Sequence, residues 1–385
     1  MQRSLHSNVQ IASNRTPRRI NRNLLFNLIR TRQPISRSDL ARASGLQNST
    51  VSVIVEDLIA DGWIVEGSAG HLPRGRRPVF LEIDSHRAVI ALDVHPAQIT
   101  VGVSDLGGNF IEQSIIALPE NKNNALSTIV SGISKFIKSH EDKSFVGIGI
   151  CVPGRTDVHL EELTFAPNVK WAHAKFKSRV EQSLGMKVVM DNVANACALS
   201  EVWFGGSDRN HDLVVVNVSE GLGTGIFANG RLLRGDSGMA GEFGHVVLDP
   251  AGVPCGCGSR GCWETLASNR AALRYYNELA PKRRIRSFDR LLKLAEKENG
   301  EAIAALTRVS KELGRGMKMI ASILDPKEIV VVGAITSIWS AFGPIVEAEM
   351  RMNSTRTAPT LHPSYNGENA RLRGAVALVL NEGEV

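Results

Sequence analysis

Three cysteines and a histidine crowd into eighteen residues: His245, Cys255, Cys257 and Cys262. Three thiolates and one imidazole form a donor set suited to tetrahedral zinc. Four protein ligands leave no open coordination position, so the expected ion is structural and does not activate water. Gly256, Gly258 and Gly261 let the chain turn tightly around it. The segment is therefore expected to fold as a metal-closed loop between regular elements. Cys151 and Cys197 stand alone in apolar surroundings and read as small core residues. One tight cluster within an odd total of five argues against a disulfide framework and for a reducing compartment. No uninterrupted apolar run is long enough to span a bilayer, and Met1 to Pro17 lacks the apolar centre of a signal peptide. A cytoplasmic location is expected.

The 385 residues suffice for two or three domains, and charge divides them unevenly. Residues 1–80 hold 12 Arg, no Lys and 5 acidic residues, whereas residues 81–385 hold 33 basic and 34 acidic ones. A basic head on a neutral body suggests nucleic-acid binding. Within the head, Arg18 to Thr31 carries Ile20, Leu24, Leu25, Leu28 and Ile29 at helical spacing. Pro34 ends that helix. Ser36 and Asp39 form a capping-box pattern for a second helix, and Gly45 supplies the turn before a third, from about Asn48 to Asp61. Leu40, Ala41, Gly45, Leu46, Val51 and Ile54 fall where a helix-turn-helix requires them. Trp63 to Glu66 and Val79 to Ile83 then read as strands of a hairpin with a Gly- and Arg-rich tip, a wing.

The expected DNA contacts follow from chemistry. The third helix offers Ser49, Thr50 and Ser52 but no Arg or Lys, so guanine readout through a bidentate arginine is absent from it. Arg74, Arg76 and Arg77 on the wing suit phosphate contact or a narrow minor groove, and Arg18, Arg19 and Arg22 suit the DNA backbone.

From Val89 onward short apolar strands alternate with amphipathic helices, an α/β pattern. Several segments then become specific. Gly241-Glu242-Phe243-Gly244-His245 and Cys255 to Glu264 resemble the signature of the ROK family of repressors and sugar kinases. Ile148 to Gly154, Asp191 to Glu201, Gly221 to Gly225 and Leu324-Asp325-Pro326 match that family in order, and the resemblance covers about residues 85–385. With the head in front, the chain resembles the family's repressor branch. The resemblance implies an actin-like, sugar-kinase-like (ribonuclease H-like) two-lobed body over 83–385 behind a winged helix-turn-helix over 1–82. The smaller lobe is expected over about 83–191 plus the C-terminal helix, and the larger over about 192–365. It also implies sugar contacts at Gly154, Arg155, Asn168, Asn192, Glu242, His245 and Glu264, a sugar effector, operator DNA as partner, and a homodimer or homotetramer.

The chain also departs from the family's kinases. Where they carry Asp-x-Gly-Gly-Thr for phosphate, this chain has Asp93-Val94-His95-Pro96-Ala97, and proline lacks an amide hydrogen. Where they carry a catalytic Asp after Asn, it has Asn192-Val193, and valine cannot accept a proton. A late Gly-Gly near the adenosine is Gly333-Ala334 here. The expectation is a sugar-responsive regulator without kinase activity. Two further readings stay open: a sugar kinase with an added DNA-binding domain, and a regulator controlled by a protein partner.

Overall fold

The computed structural model describes residues 15–69, 78–95, 98–119, 124–157, 162–166, 169, 175–205, 212–352 and 358–382. The head comprises helices α1 (Arg15–Arg32), α2 (Arg37–Ser44) and α3 (Asn48–Ala60). Strands β1 (Ile35–Ser36), β2 (Ile64–Ala69) and β3 (Val79–Ile83) pair in the order β1-β3-β2. Ser36 opens α2 as its sequence position requires. Its hydroxyl accepts the Asp39 amide at 3.2 Å and donates to the Asp39 carboxylate at 2.7 Å, which satisfies an otherwise orphaned helix-end donor. Gly45 closes α2 at φ 71°. Helix α3 buries Val51, Ile54, Val55 and Leu58, the expected four.

Helix α1 differs from expectation. It buries Leu25, Phe26 and Ile29, whereas Ile20 and Leu24 are 60% and 37% exposed. At 3.6 residues per turn, Ile20 lies roughly 140° round the helix from Leu25, so the two cannot share one face. Phe26 completes the stripe and meets Trp63 edge-on, ring centroids 5.6 Å apart.

The body holds two five-stranded sheets. The first contains β4 (Arg87–Val94), β5 (Gln98–Asp105), β6 (Phe110–Ala117) and β7 (Ser144–Val152), with helix α4 (Ala125–Ser139) before β7. The short β8 (Arg155–Thr156) and β9 (Leu163–Phe165) pair with each other, and α5 (Phe176–Leu184) leads into β10 (Val188–Asn192). The order is β10-β7-β4-β5-β6, with β10, β7 and β4 mutually parallel. The unbroken apolar runs of β4 and β7 suit strands covered on both faces.

Helix α6 (Val193–Phe204) leads to the second sheet: β11 (Leu213–Val218), β12 (Leu222–Ala228) and β13 (Arg231–Leu232), joined later by β14 (Glu328–Val332) and β15 (Thr360–Pro363). Its order is β13-β12-β11-β14-β15. Helices α7 (Trp263–Ala267), α8 (Asn269–Leu279), α9 (Phe288–Glu296), α10 (Gly300–Leu324) and α11 (Trp339–Arg351) belong to this half. The last helix, α12 (Ala370–Glu382), returns to the first sheet and packs on α6, β7 and β4. Two mixed sheets with helices between and around them form the actin-like, sugar-kinase-like architecture. One apolar cluster runs from the head's Leu25, Phe26 and Ile29 through α6 into α12.

Gly221 to Gly225, expected as a glycine-rich turn, mostly enters β12. The glycines here serve closeness. A Cβ on Gly225 would strike the Ala194 carbonyl oxygen of α6, and one on Gly374 of α12 would lie 2.7 Å from the Ala196 carbonyl carbon. At Gly149 of β7 a Cβ would strike the Ala375 carbonyl oxygen of α12. Gly149→Ala should therefore force β7 and α12 apart, costing about 1–3 kcal/mol as overpacking does. Thermal unfolding should show a melting temperature several degrees lower; an unchanged one would mean that α12 is not seated on β7.

Candidate functional site

A cleft of about 910 Å³ is lined by residues of both sheets and their connections, among them Gly154, Arg155, Asn192, Val193, Glu242, His245 and Glu264. At one end stands the Cys/His cluster. Cys255 Sγ lies 3.5 Å from His245 Nδ1, and Cys257 Sγ lies 3.7 Å from Cys262 Sγ. The four ligand atoms all fall within 4.8 Å of one another. Bonds of about 2.3 Å to sulfur and about 2.0 Å to nitrogen put tetrahedral edges near ~3.8 Å for S···S and ~3.6 Å for S···N. These two spacings match those edges, so the residues fit a four-coordinate ion. Isolated bridges between Val247 and Cys262 and between Pro254 and Arg260 tie the loop back on itself.

The histidine joins this cluster to the cleft. Nδ1 faces the sulfurs, and Nε2 lies 3.6 Å from Glu242 Oε2. Glu242 sits on the short 3-10 turn Glu242–His245, three residues before the histidine. Its Oε2 also accepts Arg155 Nε at 3.1 Å and a second guanidinium nitrogen at 3.0 Å. Arg155 follows the first sheet and Glu242 follows the second, so this ion pair crosses the cleft. Glu264, in the first turn of α7, accepts the Leu222 amide at 3.2 Å and reaches within 3.5 Å of Cys255 Sγ. Asn192 caps α6: its side-chain oxygen accepts the Ala194 amide at 2.7 Å, and its amide donates to the Gly154 carbonyl.

The expected sugar residues Gly154, Arg155, Asn192, Glu242, His245 and Glu264 thus meet in one cleft. Asn168 lies outside the described residues. Two arginines that sequence reasoning passed over are equally part of this region. Arg234 donates from Nε to Asp191 at 2.9 Å, and Asp191 also accepts Asn195 at 2.9 Å and the Asn192 amide at 2.7 Å. Arg371, on α12, lines the cleft and donates to Asp93 at 2.8 Å, while His95 Nε2 lies 2.9 Å from the other Asp93 oxygen. Burial works against ionising Asp93, but Arg371 and His95 outweigh it and hold the carboxyl below its ordinary range. Arg371 stands 278 residues from Asp93, and only the fold brings them together.

On the head, Ser49 of α3 is exposed, Thr50 and Ser52 are half-buried, and Val53 after them is 52% exposed. Arg18 is paired with Asp57, within α3, and Arg22 with Asp61, at its C-cap. Arg22 is only 11% exposed; it clamps α1 to the end of α3 and does not reach outward. Arg74, Arg76, Arg77 and the side chain of Arg19 lie outside the described residues.

Residues 89–382 match the model of the ROK family. The chain belongs to the ROK family. Residues 18–65 match the winged helix-turn-helix DNA-binding model. The chain is 31% identical to the xylose repressor of Bacillus subtilis over 97% of its own length and 98% of that protein. The solved structure of a ROK family transcriptional regulator, a homologue of the E. coli MLC protein, superposes with a TM-score of 0.80 at 25% identity, covering 95% of this chain and 97% of that one. A ROK family glucokinase from Streptomyces griseus, solved with glucose and AMPPNP, gives a TM-score of 0.68 at 28% identity and covers 75% of this chain and 98% of its own. Its match stops short of the full chain, whereas the regulator's match spans nearly all of it.

Arg371→Met tests the charge balance of this ROK cleft. Ionised Asp93 contributes stability above its unfolded pKa of about 3.9 and loses it as pH falls through its depressed folded value. Without Arg371, burial dominates and the folded pKa rises. The variant should lose about 3–5 kcal/mol at neutral pH, as when a buried pair loses one partner. That deficit should shrink on acidification, because protonation relieves the stranded charge. The gap in melting temperature from wild type should therefore be smaller at pH 5 than at pH 8; an equal gap at both would show that charge is not what Arg371 supplies.

Proposed function

We propose that this protein is a sugar-responsive transcriptional repressor whose kinase-like body binds a sugar and has lost phosphoryl transfer. One observation carries the reading. A winged helix-turn-helix head precedes a ROK body whose cleft keeps hydroxyl-binding groups but not the groups for phosphate. Carboxylates accept from sugar hydroxyls and imidazole N–H donates to them. Glu242, Glu264, Asn192 and His245 supply these, with Arg155, Gly154 and Asn168 as further sugar contacts. Phosphoryl transfer needs a base for the hydroxyl and a carboxylate free for the metal. Val193 stands at the base position. The neighbouring Asp191 is saturated by donors, and Asp93 is held by Arg371 and His95.

Zinc in the His245, Cys255, Cys257 and Cys262 site supplies a structural crosslink. It would fix the His245 ring so that Nε2 faces the sugar. On DNA, Ser49, Thr50 and Ser52 read bases lightly. The Arg74, Arg76 and Arg77 wing, with Arg18 and Arg19, supplies phosphate and minor-groove contacts. The pair formed with Asp61 leaves Arg22 as a head-stabilising residue in this scheme. A homodimer or homotetramer in the cytoplasm would match paired half-sites.

The reading is tested with zinc-loaded full-length protein against D-xylose, D-glucose and N-acetyl-D-glucosamine by calorimetry. Operator affinity is then measured with and without the tightest of them. Binding of one sugar, a changed operator affinity, and no sugar phosphate after incubation with ATP and magnesium are expected. Turnover near or above about one per second would make it a kinase. A second test concerns the metal: Cys257→Ser should lose zinc and, with it, at least tenfold in sugar affinity. Unchanged sugar affinity in a metal-free variant would separate the two sites.

A further inference from the structure

Helix α6 has one end in the cleft and the other against the DNA-binding head. At its start, Asn192, Val193 and Asn195 line the cleft. The Asn192 side chain both caps the helix and holds the Gly154 carbonyl. A second tie comes from Ser364, another cleft residue: its hydroxyl and the Asn366 amide donate to the buried Glu201 carboxylate in the last turn of α6. Whatever reorders Asn192, Gly154 or Ser364 therefore acts directly on this helix.

The helix has little room to absorb such a change. Every residue from Val193 to Trp203 is buried. The Gly225 and Gly374 contacts press its backbone against β12 and α12. An interior packed this closely is stiff and transmits displacement. Twelve residues give a rod about 18 Å long.

At the far end the rod meets the head. Trp203 takes Phe26 of α1 edge-on, centroids 6.3 Å apart. The Arg30 guanidinium donates to the Trp203 carbonyl and lies over the Trp203 and Phe204 rings, 5.8 and 5.0 Å from their centroids. Burial pushes the Arg30 pKa down to about 10, which leaves it charged at neutral pH. From there α1 holds α3 through Arg18–Asp57 and Arg22–Asp61.

We propose that α6 is the rod by which the sugar cleft controls the winged helix, and that Arg30 is the positioning residue that couples it to the head. The proposal rests on the sugar-responsive reading above and names its internal route. Sugar at Asn192 and its neighbours shifts the first turn of α6. The buried helix moves as a body. Trp203 and Phe204 carry α1 through Arg30 and Phe26, and α1 carries the recognition helix α3. A ligand shifts such an equilibrium only by its differential affinity for the two arrangements, and the Asn192 cap is where that difference is made.

The test uses full-length, zinc-loaded Arg30→Met, which keeps an apolar stem and removes the guanidinium. The probe is the tightest wild-type binder among D-xylose, D-glucose and N-acetyl-D-glucosamine. The variant should bind it within about threefold of wild type, because Arg30 does not touch the cleft. The ratio of operator affinities without and with that sugar should collapse toward one, at least tenfold below the wild-type ratio. An unchanged ratio would overturn the proposal. A second measurement needs no variant: amide hydrogen exchange of wild type with and without the sugar. Altered exchange is expected in α1 and the last turn of α6. A wild type whose operator affinity responds to sugar while that junction does not change would also overturn it. A wild type whose operator affinity ignores every sugar in the panel would instead overturn the sugar-responsive reading beneath it.

Discussion

The closeness with which α6 approaches its neighbours sets the arrangement of everything else. Glycine at 225 and 374 removes the side chains that would stand between this helix and β12 and α12. Contact at that distance leaves no gap for water, and it locks both sheets to one helix. The first turn of α6 then has a fixed place, and Asn192, Asp191 and Asn195 inherit it. The cleft is therefore a by-product of packing: its polar groups sit at the rim of a contact made for close fit. That is the usual way in which a binding constellation is held to within a fraction of an ångström.

Charge in and behind the cleft wall is balanced internally. Arg155 answers Glu242, Arg234 answers Asp191, and Arg371 answers Asp93. Each pair commits a carboxylate to a guanidinium partner of the chain itself. Desolvating such pairs costs energy that their attraction scarcely repays. Their value lies in specifying one arrangement of side chains. The loop that carries the Cys/His cluster is tied back on itself by the Val247–Cys262 and Pro254–Arg260 bridges, which set His245 beside the three cysteines.

How much of this was legible in the sequence depended on whether the information was local. The head's α2 and α3 could be read because capping and helical period are properties of neighbouring residues. The face of α1 was misread because Ile20 and Leu24 are apolar yet lie away from the stripe that Leu25, Phe26 and Ile29 define. The Cys/His cluster was legible from spacing alone. That Asn192 and its companions line one cleft was expected only through resemblance to a family, since nothing local distinguishes Asn192 from any helix cap. Arg234 and Arg371 were invisible, because their partners are distant in sequence and an arginine on a helix or loop ordinarily reads as solvated. The glycines of 221–225 looked like a turn for the same reason: the carbonyl that requires Gly225 belongs to another element.

The shared apolar cluster between head and body has a practical corollary for dissecting the molecule. Trp203 and Phe204 meet Phe26 and Arg30 of α1 within that cluster. A polypeptide beginning after β3 would lose the cover that Phe26 and Arg30 give these two rings. Exposed aromatic patches of this kind promote self-association. The body's surface is thus finished in part by the head's first helix, whose Phe26 and Arg30 complete the cover over two of its aromatic rings.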